Sequence, residues 1–134
     1  MLLTGMITNV YATTDVTVSE GYIKASIPGS SITAAYMTIS NAGNKAITLQ
    51  KISSTISDRI EIHEHSMSDG MMRMRQVTEI TIDANNEVVL QPSGLHLMIF
   101  SLKQKVTDKD VIPLTLYFSN KTKINIQLPV YRYK

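Results

Sequence analysis

Arg59-Ile60-Glu61-Ile62-His63, followed by Ser68-Asp69-Gly70 and then Met71-Met72-Arg73-Met74-Arg75, is the stretch on which the fold turns. Its first part alternates polar and apolar side chains, the period-two signature of a strand with one face in a core. Ser68-Asp69-Gly70 reads as a turn, so residues 71–75 become the return strand of a hairpin. His63 falls on the face opposite Ile60 and Ile62, which takes it out of the core that those isoleucines enter.

Outward from this hairpin the same pattern recurs. Residues 16–18 and 22–25 lead into Ile27-Pro28-Gly29-Ser30-Ser31, where Pro and Gly break the strand. Residues 34–40 end at Asn41-Ala42-Gly43-Asn44, and residues 47–53 alternate imperfectly through Ile47, Leu49 and Ile52. Residues 79–82 and 87–90 flank Asp83-Ala84-Asn85-Asn86, and Gln91-Pro92-Ser93-Gly94 delivers the chain to His96-Leu97-Met98. Residues 112–118 and 123–130 make a last pair around Ser119-Asn120-Lys121. Short strands at this spacing predict an all-β protein, a β-sandwich or Greek-key barrel. No helix of ordinary length, internal repeat, low-complexity tract or linker is expected.

The 134 residues suffice for one domain with a real core and are too few for two. We assign residues 13–134 to that domain. Residues 1–12 are mildly apolar and end in Val10-Tyr11-Ala12, small residues of the kind a signal peptidase selects, but they lack a basic start. They read either as the tail end of an export signal or as a frayed terminus. No later stretch reaches the ~18–20 apolar residues of a membrane span, so a soluble mature chain is expected. The net charge of +2 comes without any basic run, and there is no Trp, which argues against nucleic-acid binding. The absence of cysteine excludes a disulfide scaffold, a CxxC redox pair, a zinc ribbon and a cysteine nucleophile.

What stands out is His63, Met74, His96 and Met98, spaced His-x10-Met-x21-His-x-Met. Thioether sulfur suits monovalent copper and is a poor ligand for zinc, magnesium or calcium, so two imidazoles with two thioethers point to Cu(I). A blue-copper centre is excluded because it needs a Cys sulfur. On an extended segment His96 and Met98 project to one face while Leu97 points to the other. A hairpin can bring His63 opposite Met74, and all four would then meet at one end of the sandwich, near the surface.

Met67, Met71, Met72, Met74 and Met98 are five of the eight methionines. Met37, inside an apolar strand, is expected to fill the core. Met67, Met71 and Met72 instead flank a polar turn, with Met72 and Met74 on one strand face and Met71 on the other. For His65 a solvated turn histidine is the simpler reading than a fifth ligand. Glu61 and Glu64 have the reach to accept a hydrogen bond from a ligating imidazole, although solvated carboxylates are the simpler reading.

The chain resembles the bacterial periplasmic copper chaperones called PCuAC over residues 18–130. The resemblance rests on Ala34-Ala35-Tyr36-Met37-Thr38-Ile39-Ser40-Asn41, on the hairpin around His63 and Met74, on Pro92-Ser93-Gly94-Leu95-His96-Leu97-Met98 and on Pro113-Leu114-Thr115-Leu116-Tyr117-Phe118. It implies a single-domain, cupredoxin-like Greek-key β-sandwich. It also implies one exposed Cu(I) site with His63, Met74, His96 and Met98 as ligands, and copper delivery to the binuclear centre of cytochrome c oxidase or to another copper chaperone. A His- and Met-rich C-terminal tail that some members carry is not found at Tyr131-Arg132-Tyr133-Lys134, so no tail-borne copper site is expected.

Mechanistically, neutral imidazole and thioether ligands suit a carrier that must release its metal by ligand exchange, and Met needs no deprotonation. Imidazoles titrate near about 6.5, so acidification toward pH 5 is expected to weaken binding. An enzyme is not expected: there is no GxSxG elbow, HExxH pair or Gly-rich phosphate loop. The rival readings are a copper-dependent redox enzyme and a metal-free β-sandwich interaction module. A monomer is the default.

Overall fold

In the computed structural model, which describes residues 10–132 apart from Thr14, every regular element is a strand. The strands are β1 (Val10–Thr13), β2 (Val16–Lys24), β3 (Thr33–Asn41), β4 (Ile47–Ser53), β5 (Arg59–Ser68) and β6 (Met71–Val77). There follow β7 (Ile80–Ile82), β8 (Asn86–Leu90), β9 (Leu95–Phe100), β10 (Val111–Phe118) and β11 (Lys123–Tyr131). Of the segment considered as an export-signal remnant, residues 1–9 lie outside the described residues, and Val10-Tyr11-Ala12 belongs to β1, which pairs with β2.

The strands run β6-β5-β9-β3-β2-β11-β10-β4-β7, with β1 on β2 and β8 on β3, folded as a cupredoxin-like Greek-key β-sandwich. β11 joins the two layers. Lys123 to Pro129 pair antiparallel with β10, and Val130 and Tyr131 then pair parallel with Ile23 and Lys24 of β2. Strict alternation along β10 and β11 sends Ile112, Leu114, Leu116 and Phe118, and Ile124, Ile126, Leu128 and Val130, into the core. They face Val16, Val18, Ile39, Met37, Leu97 and Ile99 of the other layer.

Two bulges explain where sequence alternation falters. In β2, pairing with β3 slips between Ser19 and Tyr22, with Glu20 at φ 55°, so what reads as two segments is one strand with an extra residue. Gly21 sits at the slip, where a side chain would run into the buried Leu128. In β4, the register to β10 shifts between Leu49 and Lys51, where Gln50 is the extra residue, and this returns Ile52 to the inward face despite its odd spacing from Leu49.

The β5–β6 hairpin projects from one side of the sandwich. Its two-residue turn has Asp69 at φ 52° and Gly70 at φ 76°, the doubly positive backbone whose twist matches paired strands. Asp tolerates that region and Gly enters it without a Cβ penalty, so the Asp-Gly pair holds the strands in register. β6 lies at the end of the sheet and is exposed along almost all its length, and its edge carries Arg73 and Arg75. Charges on an edge strand discourage pairing with other chains.

Candidate metal centre

β9 lies between β5 and β3, so the face it shares with them is built from three strands. His63 of β5 is directly opposite His96 of β9, and Glu61 is opposite Met98. Across the hairpin, His63 faces Gln76, His65 faces Met74, and Met67 faces Met72. Directly opposed residues share a sheet face. One face therefore holds Glu61, His63, His65 and Met67, together with His96, Met98 and Phe100, and with Gln76, Met74 and Met72. The reverse face turns Ile62, Leu97 and Ile99 into the core.

Thus His63 and His96 meet as neighbours, their rings 6.1 Å apart between centroids. Met98 stands one row away on β9, and Met74 one row away in the other direction on β6. The expectation that the hairpin sets His63 against Met74 is off by one row. The turn closes on Ser68 and Met71, and counting back from it Met74 meets His65.

Two further readings need correction. His65 is not a turn residue, since β5 continues through it to Ser68, and its ring stacks on His96 at 5.0 Å and 26°. His96, expected near the surface, is only 2% exposed. It occupies an interior strand, with Tyr36 of β3 at 6.3 Å on one side and His65 on the other. Met74, at the sheet edge, is 46% exposed, and Met98 is half-buried.

Hydrogen bonding sets which ring nitrogens are free. Gly94 ends the Gln91–Gly94 turn, and its carbonyl oxygen accepts from the His65 backbone N–H at 3.3 Å and from His96 Nδ1 at 3.0 Å. A carbonyl only accepts, so His96 Nδ1 carries the proton and Nε2 keeps its lone pair. His63 is the mirror case. Its Nε2–H donates to Glu61 Oε1 at 3.0 Å, and Nδ1 is buried with no hydrogen-bond partner. A buried nitrogen lone pair without a partner is costly unless something binds it. Carboxylates and carbonyls that hold the far nitrogen of an imidazole are the usual orienting partners of metal-binding histidines.

Glu61 is itself anchored, because Arg59 Nε donates to Oε2 at 2.6 Å. That hydrogen bond first, and the one from His63 second, hold its carboxyl below the usual carboxylate range. The Arg59 guanidinium lies 4.1 Å from the Phe100 ring centroid, and Phe100 in turn lies 5.7 Å from His63. Glu64, the other carboxylate considered, is on the reverse face and pairs with exposed Arg75 at 3.2 Å.

This arrangement predicts that Glu61→Ala frees the His63 ring to exchange tautomers, because the acceptor that fixes the Nε2 proton is lost. Long-range 1H–15N correlations read the tautomer directly. Unchanged His63 signals in the variant would remove Glu61 from this role.

Burial pushes the His96 pKa down, with further lowering from the charges of His65 and His63 against a raising effect of its bond to Gly94. Because the folded state takes up this proton less readily than the unfolded chain, stability is retained above about pH 6.5 and declines as pH falls below it. Urea midpoints measured at pH 7.5 and 5 should show the loss, and His96→Gln should reduce it.

Among the described residues no three of His, Asp and Glu are gathered so as to hold a metal ion by themselves. The remaining soft donors on this face include the thioethers of Met74 and Met98, and imidazole with thioether is a donor set suited to a soft monovalent ion. No described helix is long and apolar enough to cross a membrane.

The family model "Putative lipoprotein LpqE-like" matches residues 16–130. "Putative lipoprotein Lxx21020" from Leifsonia xyli subsp. xyli is 28% identical over 116 residues, covering 86% of this chain and 69% of its own length. Among solved structures, DR1885 of Deinococcus radiodurans in its CuI form is 26% identical at a TM-score of 0.70, over 84% of this chain and 76% of that one. The copper-bound PCuAC domain of PmoF2 superposes at a TM-score of 0.79 with 16% identity, covering 91% of this chain and 97% of that one, and so shares the fold.

Proposed function

This chain belongs to the LpqE-like family, whose solved structural relatives are PCuAC domains, and from that premise we propose that it is a copper chaperone. The observation that carries this reading is the pairing of His63 with His96, each with one ring nitrogen held by an oxygen acceptor and the other free, on a face that also bears Met74 and Met98. Copper is the cargo. His63 Nδ1 and His96 Nε2 would bind it with the Met74 and Met98 sulfurs, all neutral donors that favour the monovalent state.

Release proceeds by ligand exchange. Met74, exposed on the edge strand, is the ligand an incoming donor reaches first, whereas His96 is enclosed and is the last to let go. Copper keeps its charge throughout, so the transfer needs no oxidant. The physiological acceptor we propose is a protein of copper-centre assembly, a cytochrome c oxidase subunit or another copper chaperone, with no enzymatic turnover by this chain. The lipoprotein names of its relatives support an exported protein acting in the periplasm.

Anaerobic Cu(I) titration against a competing chelator tests the assignment. One equivalent should bind tightly, and Met74→Leu, at an exposed position that leaves the fold alone, should weaken it. Affinity equal to the parent in both Met74→Leu and Met98→Leu would remove the thioether site and with it the chaperone reading.

A further inference from the structure

Beyond Met74 the hairpin continues for one more pair of soft donors that the site above does not use. Met67 on β5 and Met72 on β6 are directly opposed, on the same face as His63, His65 and Met74. They are 68% and 61% exposed. Opposed Cβ atoms lie about 4.5–5.5 Å apart and successive rows about 6.8 Å apart, spacings that flexible methionine side chains bridge.

The two faces of this hairpin are sorted by chemistry. On one, the residues of the three outer rows are His63, His65, Met67, Met72, Met74 and Gln76, with no charge among them. On the other stand Glu64, Ser66, Arg73 and Arg75, with Glu64 and Arg75 ion-paired. Only Met71 of the hairpin's methionines falls on the charged face. Burial does not account for Met67 and Met72, because both lie in solvent next to the turn, where a polar residue would cost less.

We propose that Met67 and Met72 form a second, outer Cu(I) position at the hairpin tip. This inference rests on the chaperone reading and extends it. His65 and Met74, in the row between, connect the outer position to His63 and His96. Copper arriving at the tip is taken by two thioethers, then by Met74 with His65, and then by the enclosed imidazoles, one donor replacing another at each step with the metal monovalent throughout. The outer pair has fewer and more exposed donors than the inner set, so it binds more weakly and exchanges faster. Departure to an acceptor follows the same row in reverse.

The test uses the full chain labelled with 13C at the methionine methyls and titrated anaerobically with Cu(I). The first equivalent should shift the Met74 and Met98 methyls, and copper beyond it should shift and broaden those of Met67 and Met72. The Met67→Leu/Met72→Leu double variant should keep the first phase, lose the second and give up copper to a chromogenic Cu(I) chelator several-fold more slowly. Met67 and Met72 methyls that stay unmoved throughout, or a double variant that keeps the second phase, would overturn the outer position and leave the inner site standing. A first equivalent that leaves Met74 and Met98 unshifted would instead count against the chaperone reading.

Discussion

Replacing His96 by alanine is expected to lower Cu(I) affinity by more than about a hundredfold, since losing even an outer partner of a metal ligand costs roughly 10–100-fold. His96 is the donor that the fold holds most firmly. Its Nδ1 donates to the Gly94 carbonyl, its ring is stacked against His65, and the strand beneath it is paired on both sides. In the proposed copper site the ordering cost would therefore be met before the metal binds, and alanine would forfeit both the nitrogen and that preorganisation. The vacated space will cost some stability as well, so the affinity should be read by chelator competition beside a urea curve. A folded His96→Ala protein with parental Cu(I) affinity would remove the imidazole from the site.

One residue along, Leu97→Ala should give the opposite profile. Leu97 is fully buried on the reverse face, among Ile62, Ile99 and the strands of the facing layer. Truncating a leucine there removes transfer energy and leaves a cavity, together about 2–5 kcal/mol. For a domain of this size that is a fall in Tm of roughly 10–20 °C. The protein that remains folded should still take up one equivalent of Cu(I) with near-parental affinity. A variant that loses copper while keeping its Tm would mean that the face assignment of β9 is wrong.

Much of this architecture was legible because strand side chains alternate with period two. Residues 47–53, 112–118 and 123–130 read directly as strands, and the parity of Ile60, Ile62 and His63 already put that histidine outside the core. Where alternation was interrupted, reading by eye lost the thread. β2 looked like two pieces because its bulge at Glu20 and Gly21 adds a residue that no local propensity announces. β1 was missed altogether, being four residues long and defined by its pairing with β2.

The site divides in the same way. That His96 and Met98 share a face follows from their spacing, and the soft character of the donor set follows from their chemistry. The register of β5 against β6 and β9 did not follow, because a one-row shift leaves the local pattern unchanged. It was decided by where the Asp69-Gly70 turn closes, and it put His65 rather than His63 beside Met74. Strand parity puts Glu61 on the face of His63 and Glu64 on the other, and the packed sheet decides their partners, the His63 ring with Arg59 behind it for one and Arg75 for the other.

The sequence by itself therefore determined the donor types, the strand count to within one, and which donors of a single strand share a face, because these depend on neighbours along the chain. Burial of His96 and the interposition of His65 depend on residues brought together from β3, β5 and β9. Long-range pairing alone decided them.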